Sequence, residues 1–337
     1  MTAQPGPRNL ITDIAGIRVG NAEDHRVRTG VTVVLPERPA VAAVDVRGGA
    51  PGTRETDALA PSCLVEAVDA VVLCGGSAFG LDAASAVMSW LAARGVGFAV
   101  GAARVPIVPA AILFDLLNGG EKEWGEHPPY ADLARAACAA AGARFALGNA
   151  GAGFGAKAGT LKGGLGSVSA VTSDGLAVGA LVAANPIGDV VMPGETCFWA
   201  WALERNGELG NQRPPRRAIP ADDGFVMPAL GAGVAGNTTI AVIATNAALS
   251  KAEAQRVAIM AQDGFARAIR PAHTPFDGDT VFALAMGDHA LGEARAVALA
   301  RLGALAADCI ARAVARGVYE AETLGSFTGY REWQQAR

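Results

Sequence analysis

The sequence predicts a layered α/β fold in which helices cover mixed or antiparallel sheets. Three observations carry this expectation. Strand-like and helix-like segments occur in similar amounts, yet they do not alternate as strict βα repeats. Two apolar runs are joined by Ser173-Asp174-Gly175, a strong hairpin-turn signal. Glycine supplies 43 of 337 residues, well above the usual share of about 7%. These glycines are scattered through apolar segments and suit two stacked sheets between helix layers, where backbones approach closely. The 51% hydrophobic content is enough for a sizeable core.

The elements follow in order. Segments 17–19, 30–35 and 41–46 read as strands, the second ending at Pro36 and the third at Arg47-Gly48-Gly49. The apolar run 70–74 is a short strand stopped by Gly75-Gly76. Leu81, Ala84, Val87, Met88 and Leu91 then recur at helical spacing, and Gly95 ends that helix. A second helix spans about 130–141, with Gly142 behind it. The hairpin pairs 168–172 with 176–182. Residues 206–236 are rich in proline and glycine and predict no regular element. A strand over 239–245, a helix over 250–269, a strand over 280–286 and a long Ala-rich helix over 291–317 complete the chain. A chain of 337 residues could form one large domain or two.

The formal charge of −4 argues against a nucleic-acid binder, which is usually basic. Five cysteines without CxxC spacing read as reduced thiols. Four histidines form no metal-binding pattern, and no cofactor or metal is expected. The first residues lack the apolar core of a signal peptide. No uninterrupted apolar stretch reaches about 18 residues, and Arg295, Arg301, Arg312 and Arg316 mark the long final helix as one for water. The expectation is a cytoplasmic protein without membrane contact.

Four stretches are candidates for chemistry. GGSAFG, 75–80, sits where a nucleophile elbow would, but Phe79 replaces the glycine that G-x-S-x-G needs; the residues read as a tight turn with Ser77 near a helix N-cap. GNAGAGFGAKAGTLKGGLG, 148–166, lacks the spacing of a phosphate loop and reads as a glycine-rich wall carrying one cation, Lys162. HTPFDGDTVFALAMG, 273–287, places Asp277 and Asp279 two apart before a strand, where both could face one side, although Asp-Gly is also ordinary turn chemistry. Asn237-Thr238-Thr239 sits at the mouth of a core strand, behind a glycine-rich lead-in. It is either a polar strand entry or a cleavage site. In the second case Thr238 becomes a new chain start, holding a hydroxyl nucleophile beside an α-amine that can act as a base near neutral pH.

Several long motifs bear on this choice: ITDIAGIRVGNAEDHRVRTGVTVVLPE, VDVRGGAPGTRETDAL, VVLCGGSAFGLDAA, LKGGLGS, VAANPIGDV, GNTTIAVIATNAAL and PFDGDTVFALAMG. Over nearly the whole chain the sequence resembles the self-processing aminopeptidase family. That family includes the L-aminopeptidase/D-Ala-esterase/amidase enzymes, the β-aminopeptidases and the nylon-oligomer hydrolases. The resemblance implies a four-layer αββα sandwich, a single domain over 1–337, reached by a different chain path from other N-terminal-nucleophile hydrolases. It also implies one self-cleavage, between Asn237 and Thr238, giving chains 1–237 and 238–337 that assemble as homo-oligomers of the cleaved pair. Thr238 is then the nucleophile, Asn185 helps bind the oxyanion, Lys162 matches an active-site lysine, and Asp277 and Asp279 orient and tune the nucleophile. Other branches start the second chain with Ser and carry a Ser/Glu pair later. Thr238 and Asp277-Gly278-Asp279 place this chain nearer the nylon-hydrolase-like branch.

The resulting expectation is an N-terminal-Thr amidohydrolase for small peptides or ω-amino-acid amides, working through an acyl-Thr intermediate. The alternative is an acyltransferase like ornithine acetyltransferase, which uses the same kind of N-terminal Thr. The ITDIAGIRVG and PFDGDTVF motifs favour the hydrolase.

Overall fold

The computed structural model describes residues 3–216 and 237–337; most of the irregular segment expected at 206–236 lies outside the described residues. A seven-stranded sheet has the order Ala3–Gln4, Gly164–Thr172, Ala177–Asn185, Thr238–Ala247, Thr280–His289, Ala40–Val46, Ala67–Val68. A five-stranded sheet has the order Ile17–Asp24, Thr29–Pro36, Val71–Cys74, Ala110–Ile112, Thr53–Arg54. The expected hairpin forms, with Gly164 opposite Ala184 and Val171 opposite Ala177. Gly175 takes φ +85° at its turn, a value that favours glycine. The Thr238 strand lies antiparallel to Ala177–Asn185 and parallel to Thr280–His289.

Side-chain alternation along the central strands defines the layers. Ile240, Val242 and Ala244 point into a core shared with Val19, Val34, Val71 and Leu73 of the second sheet. Their neighbours Ala241 and Ile243 point the other way, against Ala258, Phe265, Ile310 and Val314 of the helices Lys251–Ala261, Asp263–Ala268 and Arg295–Glu320. On the far side of the second sheet, Val31, Val33 and Val72 pack against Ala84 and Val87 of Asp82–Ala92 and Ala134 of Tyr130–Ala139. Helix, sheet, sheet, helix is the αββα order. Glycine brings these layers close: a Cβ on Gly166 would lie 1.9 Å from the Ala313 carbonyl oxygen of the long helix. A Cβ on Gly20 would lie 1.8 Å from the Ala137 carbonyl oxygen.

The structure corrects several local expectations. The helix expected over 250–269 breaks at Gln262, which closes one helix and opens the next. Gln262 is buried and donates through Nε2 to the Asp45 carbonyl, tying the break to the neighbouring sheet. The tight turn expected at 75–80 does form, with Gly76 as the N-cap at φ +84° and Ser77 beside it, opening a 3-10 turn that leads into Asp82–Ala92. The arginines of the long helix do not all mark a wetted face. Arg312 is 4% exposed, pairs with Glu208 at 2.6 Å and donates to the Ser169 carbonyl at 3.0 Å, pinning helix to sheet. No helix among the described residues is long and apolar enough to cross a membrane.

Candidate active site

The strand ends of the larger sheet bring distant residues together. Thr238 is the first residue of its strand and Asn185 the last of the neighbouring one; the register sets them directly opposite each other. On the other side the Thr280 strand is entered through Asp277-Gly278-Asp279. In the uncut chain the Thr238 hydroxyl donates to the Asn237 carbonyl oxygen at 2.6 Å. The Gly278 amide donates to the same oxygen at 2.9 Å. A Cβ on Gly278 would lie 2.7 Å from Thr238 Oγ1, so this close approach requires glycine. The Asn237 amide in turn donates to the Phe276 carbonyl at 3.1 Å, which fixes the peptide against the Asp-Gly-Asp turn.

Both carboxylates are buried, each at 1% exposure. Asp277 accepts from the Ile187 amide at 3.2 Å and from the Thr274 amide and hydroxyl at 3.0 and 2.6 Å. Asp279 accepts from the Thr239 amide at 2.8 Å and from the His273 amide at 3.0 Å, with His273 Nδ1 2.8 Å away. Burial, and then the neighbouring charge of Asp279, push the Asp277 pKa up to about 6. The turn expectation and the paired-carboxylate expectation therefore describe one object. Thr274 turns back onto Asp277, and the turn presents two acids beside Thr238. Neither carboxylate takes the Thr238 hydroxyl in the uncut chain, since that hydroxyl points to Asn237.

Asn185 and Lys162 form the opposite flank. Asn185 Oδ1 accepts from the Lys157 amide at 2.8 Å, and Nδ2 donates to the Phe114 carbonyl at 3.1 Å. Its donor group is thus engaged away from the Asn237 carbonyl in the uncut chain. Lys162 pairs with Lys157 in a two-stranded ribbon, Lys157–Ala158 with Leu161–Lys162, and so lies one step behind Asn185. It is fully buried, and Nζ donates to the carbonyls of Gly163 at 2.7 Å and Gly153 at 3.1 Å. Burial lowers its pKa to about 7, and the charge of Asp115 opposes that fall.

The candidate residues thus split into one group around the Asn237–Thr238 peptide and one behind it. The Gly278 amide was missed individually, since a backbone donor carries no side-chain signal. His273 was missed because no spacing marks it as a partner of Asp279. Among the described residues, no group of three or more His, Cys, Asp and Glu side chains could hold a metal. A hydroxyl against a carbonyl held by an amide, with buried acids on one side and a lysine of lowered pKa on the other, is a constellation for acyl transfer.

Comparison with known proteins agrees with that chemistry. The profile described as peptidase family S58 matches residues 9–332. An uncharacterized aminopeptidase of Mycobacterium tuberculosis is 47% identical over 341 residues, covering 96% of this chain and 97% of that protein. The 6-aminohexanoate-oligomer endohydrolase of Kocuria sp. is 31% identical over 291 residues, covering 83% of this chain and 75% of that protein. Among solved structures, a Burkholderia sp. β-aminopeptidase superposes with TM-score 0.74 at 21% identity, over 100% of this chain and 95% of that one. The L-aminopeptidase D-Ala-esterase/amidase of Ochrobactrum anthropi, described as a variant of the Ntn-hydrolase fold, gives 0.69 at 22% identity, over 96% and 90%. These structures share the four-layer fold seen here. The chain belongs to peptidase family S58 and is a hydrolase acting on amide bonds.

Proposed function

We propose that this chain cuts itself between Asn237 and Thr238 and then uses Thr238 as an N-terminal nucleophile. The observation that carries this reading is the pair of contacts on one oxygen, from Thr238 Oγ1 at 2.6 Å and the Gly278 amide at 2.9 Å. The hydroxyl adds to the Asn237 carbonyl carbon, and the Gly278 amide stabilises the oxygen as it becomes negative. The C–N bond then breaks, and the proton lost by the hydroxyl passes to the departing Thr238 nitrogen. The resulting ester is split by water, which leaves the Asn237 carboxylate on chain 1–237 and a free amine on Thr238 of chain 238–337. The two chains remain one αββα unit.

In the second reaction an external amide carbonyl takes the place left by Asn237. The Thr238 amine receives the proton of its own hydroxyl as Oγ1 adds to the carbonyl carbon; the substrate C–N bond then breaks, that proton passes to the departing amine, and the acyl group remains as an ester on Oγ1. Asp279 fixes the backbone through the Thr239 amide, and Asp277 holds the Thr274 turn and the ammonium that forms. Lys162 supplies positive potential from behind Asn185, whose amide joins Gly278 as an oxyanion donor once the cut has freed the site. Water releases the acid. The substrate class is small peptides or ω-amino-acid amides. Support for the ω-amino-acid side comes from the likeness to 6-aminohexanoate-oligomer endohydrolases and from the Thr and Asp-Gly-Asp pattern.

Intact mass and amino-terminal sequencing test the reading. The purified protein should give chains 1–237 and 238–337, the second beginning Thr238-Thr239-Ile240. Thr238→Ala should remain whole and inactive. An active, uncut Thr238→Ala protein would end the proposal.

A further inference from the structure

We propose that Asp115 is a positioning residue for Lys162, fixing the lysine's place and charge beside Asn185 across the glycine loop 151–155. This rests on the reading of Lys162 as an active-site group. Asp115 is 3% exposed and belongs to none of the motifs that mark the site. Its Oδ2 accepts from Thr29 Oγ1 at 2.7 Å and its Oδ1 from the Gly76 amide at 2.8 Å. Glycines close around it: a Cβ on Gly75 would lie 2.2 Å from Oδ2, and one on Gly155 would lie 2.6 Å from it.

The same loop holds the lysine. Gly153, two residues before Gly155, accepts from Lys162 Nζ at 3.1 Å. Phe114, the residue before Asp115, accepts from Asn185 Nδ2 at 3.1 Å. The segment 114–115 therefore grips one candidate residue directly and faces the other across a single loop. The two charges form no direct ion pair among the described residues, so Asp115 acts at longer range through an interior that screens weakly. Its charge works against the loss of the Lys162 proton on burial. Burial pushes the Asp115 carboxyl itself above the usual range, while Thr29, Lys122 and the Gly76 amide hold it down. The other groups around this acid are Cys74 and Tyr130, which burial and then its charge push up, and Asp82, Asp24 and Arg28, which act on them or on Lys122. Lys122 donates to the Val27 carbonyl and to Asn118 Oδ1, so it does not replace Lys162 as the partner behind Asn185.

The experiment compares processed wild type, Lys162→Met and Asp115→Asn by pH profiles of kcat and kcat/KM on an ω-amino-acid anilide. Lys162→Met should remove one limb of the profile. Asp115→Asn should move that limb to lower pH by about one unit, with kcat falling more than KM rises. Thr29→Val keeps the carboxylate but removes a hydrogen bond to it, and should move the limb the same way by less. It also serves if Asp115→Asn does not fold. A limb that stays in place in the folded variants, while Lys162→Met removes it, would overturn the Asp115 role alone. Wild-type turnover and profile in Lys162→Met would instead sink the Lys162 reading, and Asp115 with it.

Discussion

On the Asp277 side of Thr238, two carboxylates are held by one short stretch of chain. Thr274 and His273 turn back onto Asp277 and Asp279, and among the described residues only the Ile187 and Thr239 amides come from elsewhere. On the Lys162 side, the groups that meet come from Thr29, Gly76, Phe114, Asp115, Gly153, Lys157 and Asn185. The first flank is local and raises an acid's pKa by burial and like charge. The second is assembled at long range and lowers a lysine's pKa by burial, with one distant acid opposing it. Burial thus acts in opposite senses on the two flanks: it leaves an acid that ionises late and a cation that is easily discharged.

The sharpest way to break this comparison is to neutralise each flank in turn. Asp277→Asn should lower amide turnover by about 10²–10⁴-fold, the usual worth of proton-transfer assistance. Self-cutting should fall less, because the Asn237 carbonyl is covalently held at the hydroxyl. Lys162→Met should cost about 10²-fold in kcat, as for one electrostatic stabiliser of an oxyanion. Rates from intact mass and substrate kinetics on processed protein check both. Near-wild-type turnover in Asp277→Asn would return 277–279 to plain turn chemistry. Equal losses in cutting and turnover would remove the distinction between tethered and free substrate.

That asymmetry also explains what could be read beforehand. The central strands were legible because Ile240, Val242 and Ala244 alternate with Ala241 and Ile243, and because Ser173-Asp174-Gly175 fixes a hairpin register. Asp277 and Asp279 were legible because their partners are within a few residues and the motif is contiguous. Asp115 was not. A single acid in the run AAILFDLLNGG has no spacing to mark it, and its meaning depends on a glycine loop about 40 residues away folding over it. The Gly278 amide was hidden for another reason, since any non-proline residue offers that donor and only the Gly278–Thr238 approach gives it a target. The helix break at Gln262 was hidden because the residue's hydrogen-bond partner, the Asp45 carbonyl, lies in a strand far away in sequence.

A milder perturbation is pH. Asp277 titrates near 6, so kcat/KM of the processed enzyme should fall about tenfold per unit as pH drops below 6. The limb should vanish in Asp277→Asn while the residual rate stays level. A limb that persists in that variant would assign it to another group and leave Asp277 with a purely geometric role.

The smallest effect expected is on stability, and its sign differs between the flanks. An unfolded Asp has a pKa of about 3.9, and Asp277 in the fold has one of about 6. Between these values the folded chain holds more protons, so this group's contribution to stability falls as pH rises from about 4 to 6. Lys162 runs the other way. Its folded value is about 7 and its unfolded value about 10.4, so the unfolded chain holds more protons in between and stability rises with pH over that window. Melting of wild type against Asp277→Asn and Lys162→Met isolates the two. Relative to wild type, Asp277→Asn should gain stability from pH 4 to 6 and then stay level. Lys162→Met should lose its relative advantage from pH 7 towards 10. The comparison is made on slopes, because Met also leaves the Gly153 and Gly163 carbonyls without their donor, which costs stability at every pH. Parallel curves for either variant and wild type would mean that the missing group titrates alike in folded and unfolded chains. That flank would then hold no perturbed charge to use in catalysis.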